Sequence, residues 1–403
     1  MIKNSYRFHW LLYENFPHLN RGLGFFYFPI TIIFFLLSIV FFSLNKVKNK
    51  ILFRSEVFHN KPVIQFVFTY NQLKSSQAIN IENSLLIDFT SSDVSNKYIR
   101  SISNKKIGLI LLFNSWSVFK NLLIIYNDVK IRKDVIRAIK LIAISEVAKF
   151  YFQKRKVLIQ YNDHSPYNVL LFDIAKQFDL KTVYIQHAPV SIEFPSLYHD
   201  LNLLFSRDSV AKYKFTSGDY FNKVKSIELF DLRFPNLDDL PQKKPKYVLI
   251  CFNNLDNIEK VKSCALFFVK HDYKVVLRPH PADKRNFRFE NITISSNKSI
   301  WEDLKYAIFV IVNESAVPLE SLYYNIPTYK LSSFSEISND NYGFLKEGVL
   351  YKDYKNEEEI YADIIQNKIM WDRSKIGYFL GDLINRESKL NEFNIELSKF
   401  LQE

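Results

Sequence analysis

The residues best suited to chemistry follow short apolar runs, at points where a strand would end. One such run leads directly into Arg278-Pro279-His280-Pro281. Proline on both sides of His280 restricts the backbone and fixes the direction of the imidazole. A rigidly held histidine with the cationic Arg278 beside it suits the oxygen atoms of a phosphate group, and we count His280 among the candidate catalytic residues. The alternative interpretation is a loop histidine that merely ends a strand.

A second motif, Asn313-Glu314-Ser315, follows the apolar run Ile311-Val312 and precedes a helix. Ser315 could cap that helix, or donate to a phosphate at its N-terminus, where free N–H groups and the helix dipole favour anions. Glu320 lies about one and a half turns further on, within reach of a ribose diol. A plain cap for Ser315 and a solvated position for Glu320 are the structural alternatives.

Two histidine motifs come from the first half of the chain. Asn162-Asp163-His164 and Gln186-His187-Ala188 each follow an apolar run. Asp163 and His164 could supply a general base for an attacking hydroxyl, and His187 is the other candidate base. A hydrogen-bonded structural loop residue is the alternative for each histidine.

These motifs need strand ends that meet at one edge of a sheet, and the chain supplies them. Continuous apolar runs alternate with amphipathic stretches, which predicts parallel strands covered on both faces. Strands are predicted at Val63–Phe68, Ser84–Phe89, Ile107–Phe113, Val157–Tyr161, Thr182–Ile185, Tyr247–Phe252, Lys274–Leu277 and Ile308–Val312. Helices are predicted at Asp134–Gln153, Val169–Phe178, Asn257–Lys270, Val317–Tyr324 and Asn391–Leu401.

A segment rich in proline and charge, Pro235–Pro245, divides the pattern into two halves. We therefore predict an α/β protein with two Rossmann-like domains facing a cleft, in which ligands bind beyond the carboxyl ends of the strands. Residues 1–58 form an N-terminal leader and 59–235 an acceptor-side domain. Residues 236–246 form a linker, and 247–403 form a nucleotide-binding domain with closing helices.

Composition excludes several classes of protein. Only 8 of the 403 residues are glycine, and neither the dinucleotide-binding G-x-G-x-x-G pattern nor the P-loop pattern occurs. Two cysteines form no disulfide framework. The net charge of +12 favours anionic partners such as phospholipid headgroups, nucleotides or acidic glycans. Lysine and arginine are spread along the chain without a recognisable module, so we expect no nucleic-acid partner.

The N-terminal part contains an uncharged apolar segment, Gly22 to Leu44, long enough to cross a bilayer as a helix. A buried core helix is the alternative. Basic residues flank the segment, and those that follow it favour a body on the cytoplasmic face of the inner membrane. The expected partner is therefore membrane lipid, and the expected arrangement is one soluble body tethered to it.

The ordered set of motifs resembles bacterial surface-polysaccharide glycosyltransferases of the GT-B type over roughly residues 60–385. It is most similar to the capsule polysaccharide, polysialyltransferase and related sialyl/Kdo-transferase group. Glycerophosphotransferases of teichoic-acid synthesis share a similar His-Pro and Ser layout. Two positions depart from the group: its acidic-acidic-Gly base motif is replaced by Asn162-Asp163-His164, and Ala188 stands where glycine is common.

The resemblance implies a nucleotide donor bound mainly by the second domain. His280 and Ser315 would contact the donor phosphate together with Arg278, and Glu320 would face the nucleoside. The acceptor and the base, Asp163 or His187, would belong to the first domain. No Asp-x-Asp occurs, so we expect no metal ligands and no cofactor beyond the donor substrate itself.

The predicted function is a membrane-tethered, metal-independent glycosyltransferase. It would move a sugar from a nucleotide donor, with a CMP-linked sugar as one option, to a cell-surface polysaccharide or lipid-linked glycan acceptor. Two alternatives stay open. One is a polyol-phosphate transferase that uses a CDP-glycerol-type donor, and the other is a non-catalytic partner in a polysaccharide assembly complex.

Overall fold

The computed structural model describes residues 61–79, 84–89, 99–101, 114–126, 135–281, 292–297, 299–336, 339–368 and 372–402, with a few isolated positions between and before these ranges. Within them the chain forms two sheets in which every strand pair is parallel. The predicted leader, 1–58, lies almost wholly outside the described residues.

The first sheet has seven strands among the described residues: β1 (Val63–Val67), β2 (Ser84–Asp88), β3 (Ile99–Ser101), β4 (Val157–Gln160), β5 (Lys181–Ile185), β6 (Leu201–Leu204) and β7 (Lys225–Glu228). Their order is β3-β2-β1-β4-β5-β6-β7. The helices of this half are α1 (Tyr70–Ile79), α2 (Ser115–Tyr126), α3 (Val135–Phe152), α4 (Pro166–Gln177) and α5 (Arg207–Ser217).

Both faces of the first sheet are buried, which explains its unbroken apolar runs. Successive side chains of a strand point to opposite faces, so Ile64 and Phe66 join the core under α3 and α4. Val63 and Val67 join a separate core on the other face. A strand that packs on both sides has no place for an alternating polar face.

The second sheet has six strands among the described residues: β8 (Tyr247–Phe252), β9 (Val275–Pro279), β10 (Thr293–Ile294), β11 (Ala307–Val312), β12 (Thr328–Leu331) and β13 (Asp353–Tyr354). Their order is β10-β9-β8-β11-β12-β13. The helices that follow these strands are α6 (Ile258–Lys270), α7 (Ile300–Leu304), α8 (Val317–Tyr323) and α9 (Glu357–Ile365).

The chain returns to the first sheet through two closing helices, α10 (Ile376–Leu380) and α11 (Arg386–Gln402). Gly381 makes this return possible, because it has a φ of 74° and pairs in antiparallel fashion with Phe230. A Cβ at this position would lie 2.1 Å from the carbonyl oxygen of Phe205. Phe393 of α11 then packs fully buried against the first sheet.

The structure confirms the two parallel α/β sheets and most of the predicted elements. Tyr247–Phe252 has the predicted bounds, and the helix at Asn257–Lys270 begins one residue later because Asn257 is its N-cap. The short strands β3, β6, β7, β10, β12 and β13 were not predicted. The predicted strand Ile107–Phe113 lies outside the described residues apart from Leu112, which is helical.

The predicted membrane segment 22–44 also lies mostly outside the described residues. Two of its described members, Ile30 and Phe34, pack against the core of the first domain. Across the part of the chain that the structure describes, no helix combines the length and the apolar character that a bilayer crossing requires. The membrane helix therefore stays a prediction of the sequence.

We expect that Phe393→Ala destabilises the whole protein, because it opens a cavity in a core that joins the last helix to the first sheet. The free energy of unfolding should fall by about 3 to 5 kcal/mol. Ile395 of the same helix is 48% exposed, and Ile395→Ala should cost less than about 1 kcal/mol. Equilibrium denaturation of both variants checks this, and equal losses would contradict the described packing of α11.

Candidate active site

Local hydrogen bonds fix the loop that joins β4 to α4. The Asn162 Oδ1 accepts from the backbone N–H groups of His164, at 3.0 Å, and Ser165, at 2.6 Å. Ser165 is the N-cap of α4, and Pro166 occupies the first turn, where a missing N–H costs nothing. The side chains of Asp163 and His164 are thereby held at the carboxyl end of a central strand.

Asp163 and His164 form a hydrogen-bonded pair. The His164 Nδ1–H donates to Asp163 Oδ1 over 2.8 Å, and the Tyr213 hydroxyl donates to Asp163 Oδ2 over 2.6 Å. The Asp163 side chain is 2% exposed and that of His164 is 25% exposed. Burial acts to raise the pKa of Asp163, but the charge of His164 and these hydrogen bonds outweigh it and hold the pKa below its ordinary value. Asp163 is thus a buried, ionised carboxylate.

His187 follows β5, next to the Asp163–His164 pair. Burial, together with the nearby charges of His164 and Arg233, lowers the pKa of His187 to about 3, so the imidazole is neutral at ordinary pH. Its buried Nδ1 has no hydrogen-bond partner among the described residues. Ala188 does not adopt a positive φ, so alanine fits where the resembling group has glycine.

Polar side chains tie together the carboxyl ends of β8 and β11 in the second domain. The buried Asp256 accepts from the backbone N–H of Asn253 at 2.8 Å and from the Asn313 amide at 3.0 Å. Arg285 donates to the backbone carbonyl oxygens of Asn253 and Asp256. Because Arg285 comes from the loop after β9, three strand ends are held in one network.

His280 leaves β9 at this same edge. Its backbone N–H donates to the carbonyl oxygen of Phe252 at 2.8 Å, which anchors the residue beside β8. His280 is more exposed than the other predicted site residues. Surrounding atoms still desolvate its imidazole, and this lowers the pKa of His280, with Asp283 opposing the shift and Arg278 adding to it.

Arg278 has a different place from the one that the sequence suggested. Its guanidinium forms an ion pair with Asp303, whose side chain is 1% exposed, and donates to the carbonyl oxygen of Asn297 at 3.1 Å. All of these contacts are made by Nη1 of the guanidinium. Arg278 thus fastens β9 to α7 and to the loop after β10, and its contact with a phosphate stays a prediction.

Ser315 lies before α8, as predicted, and its Oγ accepts from the Val317 N–H at 3.2 Å. The hydroxyl proton remains able to donate to a ligand. The adjacent Glu314 forms an ion pair with the buried Lys330 and is thereby directed into the protein. Glu314 is therefore engaged within the protein, and Ser315 is the side chain of this motif with a hydroxyl proton available to a ligand.

Glu320 lies where the two domains meet. Its Oε1 is 3.7 Å from Nη1 of Arg233, a residue of the segment that follows the first sheet. Its buried Oε2 has no hydrogen-bond partner among the described residues. Burial raises the pKa of Glu320 to about 7, although the charge of Arg233 opposes that shift. The side chain is 12% exposed, so the solvated position considered from the sequence is wrong.

The structure therefore gathers the candidate residues into two groups. Asp163, His164 and His187 lie at strand ends of the first sheet, and His280 and Ser315 lie at strand ends of the second. Glu320 meets Arg233 at the junction between them. Two residues of the site, Tyr213 in α5 and Arg233 in the segment after the first sheet, were not predicted. Neither belongs to a sequence motif.

Comparisons with known proteins identify the fold. No protein-family model matches the sequence, and neither does any curated protein sequence. The UDP-N-acetylglucosamine 2-epimerase from Rickettsia bellii is 12% identical with a TM-score of 0.52, over 85% of this chain and 98% of its own. The wall teichoic acid polymerase TagF is 10% identical with a TM-score of 0.52, over 94% of this chain and 99% of its own. A TagF variant gives a TM-score of 0.54 at the same identity, over 94% and 98% of the two chains. The chain thus has the two-domain GT-B fold.

We expect Glu320→Gln to stabilise the protein at alkaline pH, because the raised pKa means that the folded state holds a proton which the unfolded state releases. Stability of the native protein falls as the pH rises from 4.5 to about 7. The variant has no such proton to lose, so above pH 7 its free energy of unfolding should exceed that of the native protein by up to about 3 kcal/mol. Denaturation at low and high pH checks it, with the exposed Glu358→Gln as control. An equal effect at both pH values would contradict the assignment.

Proposed function

We propose that the protein is a glycosyltransferase, which moves a sugar from a nucleotide-linked donor to a hydroxyl group of an acceptor. The observation that carries this proposal is the Asp163–His164 pair at the carboxyl edge of the first sheet. A histidine oriented by a buried carboxylate is a general base. Across the junction, the second domain presents His280 and Ser315 at its own strand ends.

The base is His164, with Asp163 as its orienting partner. Because Nδ1–H donates to Asp163, the other ring nitrogen is left to take a proton from the acceptor. The lowered pKa of Asp163 makes that carboxylate a weak base on its own. His187 is also a weak base, since its pKa is about 3, and it serves as a hydrogen-bonding group.

The donor occupies the second domain. His280 and Ser315 contact its phosphates, and Glu320 accepts from the ribose hydroxyls through the Oε2 that has no protein partner. Transfer proceeds without a bound metal or cofactor. As His164 removes the proton, the acceptor oxygen forms a bond to the anomeric carbon, the bond from that carbon to the phosphate oxygen breaks, and the nucleotide leaves with the electron pair.

A polyol-phosphate transferase is the second candidate, and the likeness to TagF favours it. TagF is described as a wall teichoic acid polymerase, and one of its structures was obtained with CDPG. With a CDP-glycerol-type donor, the same base would direct the acceptor oxygen to the phosphorus, and CMP would leave. A non-catalytic partner in a polysaccharide assembly complex would keep the nucleotide site without turnover.

We place the enzyme on the cytoplasmic face of the inner membrane, tethered by segment 22–44. Its net charge of +12 suits anionic headgroups. Tethering raises the effective concentration of the enzyme at a membrane-bound acceptor. The acceptor is a cell-surface polysaccharide or a lipid-linked glycan, and a CMP-linked sugar is one donor to be tested.

We expect His164→Ala and Asp163→Asn to lower kcat by about 10²- to 10⁴-fold, because each removes part of the general base. His280→Ala and Ser315→Ala should mainly weaken donor binding. The measurement is release of free nucleotide in the presence of acceptor, with CMP-, CDP-, UDP-, GDP- and dTDP-linked sugars and CDP-glycerol as donors.

His271→Ala is the matched control, since His271 is the C-cap of α6 and its Nδ1–H donates to the carbonyl oxygen of Phe267. Full turnover in His164→Ala would overturn the base assignment. Turnover with CDP-glycerol alone would replace the sugar donor by the polyol-phosphate donor. Nucleotide binding without turnover of any donor would favour the non-catalytic partner.

A further inference from the structure

The segment that follows the first sheet contains Arg233, whose guanidinium is held by Asp231. Arg233 donates from Nε to Asp231 Oδ1 at 2.9 Å and from Nη2 to Asp231 Oδ2 at 2.6 Å. Asp231 is 1% exposed, and its own backbone N–H donates to the carbonyl oxygen of Leu380 in α10. A two-point contact of this kind fixes the plane of the guanidinium as well as its position.

The remaining terminal nitrogen of Arg233 faces the second domain. Nη1 lies 3.7 Å from Glu320 Oε1, and the two side chains are 15% and 12% exposed. This distance is too long for a direct hydrogen bond, but at such low exposure the charges still attract. Only one oxygen of Glu320 faces Arg233, and the other, Oε2, is buried without a partner among the described residues.

Such an arrangement suits a ligand that donates hydrogen bonds. A carboxylate accepts two hydroxyl groups of a vicinal diol only while it is ionised, because a protonated carboxyl has lost one acceptor site. An adjacent cation lowers the pKa of a buried carboxylate and so favours its ionised form. Arg233 supplies that cation from outside the domain that carries Glu320, at the segment where the chain passes between the domains.

We propose that Arg233 is a positioning residue, which holds the Glu320 carboxylate ionised and directed at the ribose hydroxyls of the bound nucleotide. This inference rests on the proposed function, because it needs a nucleotide at the donor site. It adds a residue of the segment between the domains to donor recognition. Binding of the ribose thereby depends on the relative position of the two domains.

Other charged groups around Glu320 do not replace this role. Asp231 and Arg278 act on the pKa of Glu320 in opposite directions, and each is already paired. Burial raises the pKa of Tyr342 and of Cys251 above their ordinary values, so both stay protonated near neutral pH. Arg233 itself faces His187, whose pKa is about 3. Near pH 7, Glu320 is the group whose charge is poised to change.

The test compares the affinities of ribonucleotides and 2′-deoxyribonucleotides for the full chain. CDP, UDP and GDP are titrated beside dCDP, dUDP and dGDP, between about pH 6 and pH 9, and the ratio of the two dissociation constants is followed. Taking this ratio cancels the titration of the phosphates. A hydroxyl that donates to an ionised carboxylate should make the native ratio about tenfold or more.

Arg233→Gln alone leaves Asp231 buried and unpaired, which could prevent folding. The variant that carries both Asp231→Asn and Arg233→Gln removes both charges and keeps the shapes. In this double variant, the ratio of the two dissociation constants should fall several-fold at pH 7 and return to its native value only at higher pH. Arg233→Lys keeps a positive charge and should keep the native pH profile. Glu320→Gln should abolish the preference at every pH.

A double-mutant cycle separates positioning from a general structural effect. In the Glu320→Gln background, removing the Asp231–Arg233 pair should not change the ribose preference further. Affinity for the 2′-deoxynucleotide should be similar in all variants, which also shows that they are folded. A native ribose preference that the charge removal leaves unchanged would overturn the proposal while the proposed function stands. Failure of the native protein to bind any nucleotide would overturn both.

Discussion

Parallel strands covered on both faces leave one place where polar side chains can meet a ligand, and that is the edge at which the strands end. The candidate histidines, Asp163 and Ser315 obey this constraint, whereas Glu320 lies within helix α8. His164 and His187 follow adjacent strands of the first sheet, and His280 and Ser315 follow strands on either side of β8 in the second. Local turns then determine where each of these side chains points. The Asn162 turn leaves His164 beside solvent, whereas the strand direction at Arg278 sends that side chain to Asp303.

Charge pairing decides how the available groups are used. Each strongly buried cation near the site has a carboxylate partner: Arg278 with Asp303, Lys330 with Glu314, and Arg233 with Asp231. A buried charge without a partner would destabilise the protein, so the fold needs these pairs. In the proposed function, His280 and Ser315 make the contacts with a phosphate, and this agrees with a chain in which only 8 of 403 residues are glycine.

The sequence predicted long, continuous apolar elements well and short ones poorly. Tyr247–Phe252 is six residues of unbroken apolar core, and its bounds match the structure. Strands such as Thr293–Ile294 have only two residues, and pairing with a neighbour forms them rather than any local pattern. The same distinction holds for the site. Asp163 and His164 are adjacent in sequence and could be predicted together. Arg233 and Glu320 are far apart in sequence and only the fold brings them close, so no sequence pattern predicts that pair.

The division of the site between two domains has a mechanistic consequence. A hydrogen bond holds His164 to Asp163 within the first domain, and another joins Asn313 to Asp256 at the strand ends of the second. The chain crosses the boundary between the halves after β7 and again after α10. The segments that span it, at Asp231 and at Gly381, are hydrogen-bonded to each other and carry the Arg233 that faces Glu320. In the proposed function, the donor site therefore includes a charge from the segment between the sheets as well as groups of the second sheet.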